Sequence, residues 1–177
     1  MKDILIVGAG KIGQVAADLL AHTGGDYRVT VADRAPDALA AVSPASHLST
    51  QVLDVGDGAA LAGALRGRFA VLSAAPYHLT ARIAEASRAV GTHYLDLTED
   101  VAATRRIREL AVGASSAFIP QCGLAPGFIS IVAADLSRRF DKLDSVRMRV
   151  GALPAYPSNA LNYNLTWSTE GVINEYI

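Results

Sequence analysis

The tightest constraint on this chain is its opening, where the apolar run Ile4-Leu5-Ile6-Val7 leads straight into Gly8-Ala9-Gly10-Lys11-Ile12-Gly13. Consecutive apolar residues without alternation fit a strand covered on both faces, as central parallel strands are. Glycines spaced G-x-G-x-x-G between such a strand and a helix point to a dinucleotide site. Gly8 permits the tight turn, Gly10 leaves room for a pyrophosphate at the backbone, and Gly13 lets the helix pack closely on the strand. The N–H groups at the helix start, Lys11 and Ile12 among them, would hold the phosphates at the positive end of the helix dipole. The plainer alternative is an ordinary tight turn.

The rest of the chain keeps the rhythm that such a turn requires. Strands are predicted over residues 2–7, 27–32, 47–53, 69–74, 92–96 and 116–120. Helices are predicted between them, over 10–22, 35–42, 57–65, 79–90 and 99–112. In the first helix Ile12, Val15, Ala16 and Leu19 form one apolar stripe, read as its buried face. About six strands alternating with helices predict a doubly wound parallel sheet of the Rossmann type. After Pro120 the pattern changes. A loop rich in Gly and Pro runs through 121–127, a helix is predicted over 127–139, and residues 143–150 alternate as a half-exposed antiparallel strand does. The expected organisation is a dinucleotide-binding unit over 1–122 and the beginning of an α+β substrate unit over 123–177. The second unit ends on a helical start, with Ser168 as a candidate N-cap, and reads as incomplete, as a fragment would.

Composition removes several function classes. Sixteen basic against 17 acidic residues, a net charge of −1, give no footprint for a nucleic-acid or membrane surface. The single cysteine, Cys122, excludes an internal disulfide framework and a cysteine-rich metal site. No metal is expected. No apolar run reaches the roughly 20 residues of a spanning helix. A cytoplasmic protein is expected, and a homo-oligomer is compatible with its aromatic tail.

Asp33 lies 20 residues after Gly13, at the end of the second strand. A carboxylate there accepts hydrogen bonds from the adenosine ribose hydroxyls and repels a 2′-phosphate, so NAD is favoured over NADP. Arg34 beside it could bind a 2′-phosphate, stack on adenine, or be a solvated charge. Asp54 and the Val55 amide, after the third strand, could meet the adenine; Asp54 is equally well read as a cap for the next helix. Ala74, Ala75 and Pro76 end the fourth strand, where small residues let a ribose or nicotinamide lie against the backbone. Tyr77 and His78 follow and are weaker candidates for proton transfer. His93 and Tyr94 read as packing residues. Asp96 ends the fifth strand, where open α/β sheets place ligands, and is the first candidate to hold a substrate amine or assist its proton transfer. Thr98 reads as the cap of the following helix. Cys122 reads as a pocket-lining residue with no base partner. Residues 123–127 look shaped to approach a ligand, with the next helix N-terminus offering its dipole to a carboxylate.

The segments ILIVGAGKIG, HYLDLTED, QCGLAPGF and NYNLTWSTEGVINEY together resemble the saccharopine dehydrogenase-like oxidoreductases, and within them the lysine 6-dehydrogenases. The first segment is generic to dinucleotide folds; the loop and the terminal segment are more specific. The resemblance implies a Rossmann domain followed by an α+β substrate domain. It implies hydride transfer between NAD(P) and an amine or imine carbon of an amino acid, here the lysine ε-amine. By resemblance, Asp96 and the loop bearing Cys122, Gly123 and Leu124 line the substrate end of the cleft, with Asn164, Thr166 and Trp167 near it. Saccharopine reductase and carboxyspermidine dehydrogenase chemistry is the neighbouring reading. A nucleotide-binding module without turnover is the reading from another class.

Overall fold

The computed structural model describes residues 1–151, 153–160, 162, 164, 169 and 173. Its strands are β1 (Lys2–Val7), β2 (Tyr27–Asp33), β3 (Leu48–Val52), β4 (Ala70–Ser73), β5 (His93–Asp96) and β6 (Phe118–Ile119). Its helices are α1 (Lys11–His22), α2 (Pro36–Ala40), α3 (Gly58–Leu65), α4 (Tyr77–Val90), α5 (Val101–Ala111) and α6 (Phe128–Ser137). The six strands form one sheet in the order β3-β2-β1-β4-β5-β6, every neighbouring pair parallel. This is the predicted Rossmann architecture. The order reverses between β1 and β4, and such a switch point opens a crevice above the strand carboxyl ends.

Side-chain alternation along the strands feeds two apolar layers. Leu5, Val7, Val71 and Tyr94 face one side, where Leu61 and Leu65 of α3, Ile83 of α4, and Ile107 and Leu110 of α5 cover them. Ile4, Ile6, Val29 and Val31 face the other, under Ala17 of α1 and Leu39 of α2. His93 is a packing residue, as read from the sequence. Its Nδ1 accepts the Ala117 N–H (2.9 Å), and its ring meets Phe69 edge-on at 5.0 Å.

Three local expectations are corrected. The buried residues of α1 are Gly13 and Ala17, with Ala16 and Leu20 packed partly against the core. Ile12, Val15 and Leu19 stay more than half exposed. The reason is steric: a helix lying this close to the sheet presents its smallest side chains, not its largest. The cap of α5 is Asp100, whose Oδ2 accepts the Ala103 N–H (2.6 Å), while Thr98 Oγ1 accepts the Asp100 N–H one step earlier. Residues 143–150 alternate in sequence but pair with no strand among the described residues and are exposed throughout. Alternation marks two faces; a strand also needs a neighbour for its backbone donors and acceptors. Ser168 lies outside the described residues. The expected boundary near residue 122 falls in the loop between β6 and α6. Among the described residues no helix is long and apolar enough to cross a membrane.

Arg88 of α4 ties the α4–α5 layer together. Its Nη1 donates to the Leu110 carbonyl (2.6 Å) and its Nη2 to the Val112 carbonyl (3.1 Å), at the end of α5 where carbonyls lack helical partners. Arg88→Ala is expected to lower unfolding stability by about 1–3 kcal/mol in urea titration. Arg88→Lys is expected to recover little, because one ammonium cannot span both acceptors.

Candidate functional site

The crevice is built on the turn from β1 to α1. Gly8 has φ +110°, and a Cβ there would stand 2.6 Å from the Ala74 carbonyl oxygen at the end of β4. A Cβ on Gly13 would collide with the Gly8 carbonyl. These two glycines are therefore required by the protein's own packing. Gly10 is different. Its backbone is ordinary (φ −70°, ψ −178°), and a Cβ there would meet nothing within 4 Å. Gly10 is also the N-cap of α1, with no capping side chain and no acid in the first turn. The result is an uncapped helix N-terminus beside open space, the form of an anion site. The turn is braced from two sides: Gln14 Nε2 donates to the Ala9 carbonyl (2.7 Å), and the Ala9 N–H donates to Asp33 Oδ2 (2.8 Å). Nothing in the sequence motif points to the Gln14 brace.

Asp33 ends β2 half-buried, and its Oδ1 accepts the Ala35 N–H at 2.9 Å. Each oxygen thus holds one backbone donor and keeps a lone pair for a ligand hydroxyl. Arg34 is exposed, and its side chain makes no ion pair among the described residues. Asp54 neither caps a helix nor stands free. Its Oδ1 accepts the Gly56 N–H (2.7 Å) in a local turn, and Asp57 caps α3 by accepting from Ala59 and Ala60. The side chain of Val55 is buried in the core. Ala74 and Ala75 face Gly8 across the switch point, and Pro76 is the N-cap of α4. Tyr77 and His78 form the first turn of α4 at the same edge, with ring centroids 5.8 Å apart; His78 is exposed.

Asp96 is built differently from the expectation of a group open to substrate. It is 1% exposed. Its Oδ1 accepts the N–H groups of Thr98 (3.1 Å) and Gln121 (3.0 Å), and its Oδ2 accepts the Tyr94 hydroxyl (3.0 Å). Burial raises its carboxyl pKa, against the lowering effect of the Gln121, Tyr94 and Thr98 donors. Tyr94 is pushed far up by burial and then by the charge of Asp96, so its phenol stays protonated. Burial, and next the charge of Asp96, also raise the Cys122 pKa. That keeps the thiol neutral, and its Sγ lies 3.3 Å from the Ile119 carbonyl. A neutral thiol is a poor nucleophile, in line with a lining role.

The loop after β6 is closed on itself. Gly127 has φ +131°, and a Cβ there would press on the Gly123 nitrogen (2.7 Å) and the Gln121 carbonyl oxygen (2.8 Å). The Phe128 and Ile129 N–H groups donate to the Gly123 and Leu124 carbonyls (2.8 and 3.1 Å). The loop's own backbone thus fills the space a Cβ would take at Gly127, and the first amides of α6 are already satisfied. Cys122 and Gly123 are half-buried, and Leu124 is exposed. Asn164 is exposed, with its Oδ1 3.3 Å from Asn159 Nδ2. Thr166 and Trp167 lie outside the described residues.

Residues 4–119 match the family model described as the saccharopine dehydrogenase NADP binding domain. The chain is 27% identical over 180 residues to a saccharopine dehydrogenase [NADP(+), L-glutamate-forming] of Schizosaccharomyces pombe, covering 98% of this chain and 40% of that protein. Among solved structures, the apo histidine-tagged saccharopine dehydrogenase (L-Glu forming) of Saccharomyces cerevisiae matches with a TM-score of 0.76 at 27% identity. It too covers 98% of this chain and 40% of the solved one. A Rossmann-fold NAD(P)-binding family protein of Shigella flexneri matches at TM-score 0.52 and 20% identity, over 68% and 66% of the two chains, and supports the fold alone. The chain thus spans about two fifths of the curated relative it matches. A nicotinamide dinucleotide is the supported cofactor, and the comparisons favour NADP where Asp33 alone had suggested NAD. With its glycine turn, its strand order and its match over residues 4–119, the chain belongs to the saccharopine dehydrogenase NADP-binding domain family.

Proposed function

We propose that this chain carries the NADP-binding part of an oxidoreductase acting on a carbon–nitrogen bond of an amino acid. The observation that carries the reading is Gly10. The fold does not need a glycine there, since its conformation is ordinary and a Cβ would enter empty space. A pyrophosphate seated on the uncapped start of α1 does need one. The cleft residues divide the remaining work. The N–H groups of Lys11, Ile12 and Gly13 face the phosphates. Asp33 receives ribose hydroxyls. Arg34, exposed beside it, meets the 2′-phosphate by charge and by its forked donors. Ala74 and Ala75 give the nicotinamide end a flat, small wall. When bound, the nicotinamide supplies the hydride donor or acceptor.

The named relatives favour saccharopine, a secondary amine joining two amino-acid skeletons, as the model for the substrate. The lysine ε-amine is the second reading, carried by the resemblance in the QCGLAPGF loop and the NYNLTWSTEGVINEY segment. Both need a group that moves a proton at the amine nitrogen. Tyr77 and His78, at the first turn of α4, stand at the right edge of the sheet for it.

Titration followed by nicotinamide fluorescence is expected to give saturable binding, tighter for NADPH than for NADH by about tenfold or more. Arg34→Ala should reduce NADPH affinity to that of NADH. A chain that binds neither cofactor would defeat the proposal. The glycines separate site from scaffold. Gly10→Ala is expected to weaken NADPH by about tenfold or more with its unfolding midpoint almost unchanged. Gly13→Ala is expected to lower stability by about 1–3 kcal/mol with or without cofactor.

A further inference from the structure

We infer that Asp96 is a positioning residue, whose buried side chain and carbonyl clamp the Gln121–Cys122 turn onto the end of β5 and so fix the β6 rim of the cleft. Its service to a substrate rests on the function proposed above; the clamp itself rests on geometry.

Four hydrogen bonds converge on this one residue. Thr98 and Gln121 donate their N–H groups to Oδ1, and Tyr94 donates its hydroxyl to Oδ2. The Cys122 N–H donates to the Asp96 carbonyl at 2.7 Å. Two successive amides of the turn are therefore held by one residue 25 positions earlier in the chain. The turn needs such a hold. Gln121 has φ +61°, a left-handed conformation that a residue with a side chain adopts only at a cost. The carboxylate is itself fixed from below. Tyr94 stacks on Phe118 with ring centroids 5.7 Å apart, and its hydroxyl also lies 3.3 Å from the Thr80 carbonyl. Gly123 presses the turn onto the Leu97 carbonyl, where an added Cβ would stand 3.2 Å away. At 1% exposure, with Oδ1 holding two amides and Oδ2 the Tyr94 hydroxyl, Asp96 is shielded from an amine in the cleft.

The substitutions separate charge from shape. In Asp96→Asn the amide oxygen still accepts from Thr98 and Gln121. The new NH2 donates to the Tyr94 oxygen, whose own proton turns to Thr80. In Asp96→Ala both amides lose their partner, and the phenol keeps only the Thr80 carbonyl. Cys122 is the chain's one cysteine, so its alkylation reads this turn alone. Among the described residues the titratable group acting on it is Asp96, to which Tyr94 donates its hydroxyl.

The pH profile of the alkylation rate is the test. Both substitutions remove a negative charge beside the thiol, so both should move the profile's midpoint to lower pH. Only Asp96→Ala should raise the thiolate plateau, by about tenfold or more, because only it frees the Gln121 amide and leaves the turn to the Asp96 carbonyl alone. Amide exchange on the unsubstituted chain gives a second measure that needs no variant to fold. The Gln121 and Thr98 amides should exchange far more slowly than that of Leu124. A plateau raised equally in both variants, or not raised in a folded Asp96→Ala, would overturn the inference, as would unprotected Gln121 and Thr98 amides. These readouts use no cofactor. Failure of NADPH binding with the clamp intact would strike the proposed function and leave the clamp standing.

Discussion

Backbone-to-backbone contact between Gly13 and Gly8 governs the placement of the first helix and, with it, the cleft. Because no Cβ intervenes, α1 settles directly on the carbonyl of the turn that launches it. That approach rolls Gly13 and Ala17 onto the sheet and leaves Ile12, Val15 and Leu19 outside. It also aims the N-terminus of α1 at the switch point, where the chain leaves β1 and β4 for opposite faces of the sheet. Gly8 in turn lies against the Ala74 carbonyl, so the turn and the end of β4 are fitted to each other. Loosening either contact would move the helix start and the floor of the cleft together, since interiors this dense transmit small displacements.

Aspartates at the strand ends hold the cleft's edges, and burial decides what else each can do. Asp54 and Asp57, both exposed, satisfy amides of the turn and helix that come after β3. Asp33 braces the glycine turn through Ala9 while remaining half open to a ligand. Asp96 is closed on every side. Hydrogen bonds to charged groups contribute roughly 1.5–3 kcal/mol each, against a desolvation cost that grows with depth. At Asp96 desolvation is the largest influence on the carboxyl and raises its pKa despite the three donors. An ionised Asp96 is thus a cost to folding that grows as pH rises from its ordinary value through the raised one. A network that bears such a cost orders the loop more than it stabilises the fold.

The sequence displayed the fold because its main signals are local and repeated. Uninterrupted apolar runs mark parallel strands, breakers separate them, and the glycine spacing marks the first turn. What such local signals do not carry is a role that depends on distant neighbours. The i, i+3, i+7 pattern of Ile12, Val15 and Leu19 describes one face of a helix without saying that the close contact at Gly13 turns that face outward. Alternation in 143–150 describes a ribbon that has no paired neighbour among the described residues. Asp96 lies where α/β sheets put catalytic groups, and no pattern in HYLDLTED reveals that Gln121, 25 residues on, closes over it. The glycines at 123 and 127 read as room for a ligand; the pattern does not reveal that at Gly127 the loop's own backbone needs the missing Cβ.

How Asp33 is held bears on the sequence argument that set NAD before NADP. A free carboxylate at the end of β2 would repel a 2′-phosphate at full strength. Here the carboxylate already accepts from Ala9 and Ala35, so its charge is partly answered by two backbone dipoles and its position is fixed toward the turn. Arg34, the next residue, carries an exposed guanidinium without an ion pair among the described residues. An acid drawn inward beside a cation left outward is an arrangement in which ribose and 2′-phosphate can both be received. The acid alone argued for NAD; the pair, in this geometry, is consistent with the NADP named for the family.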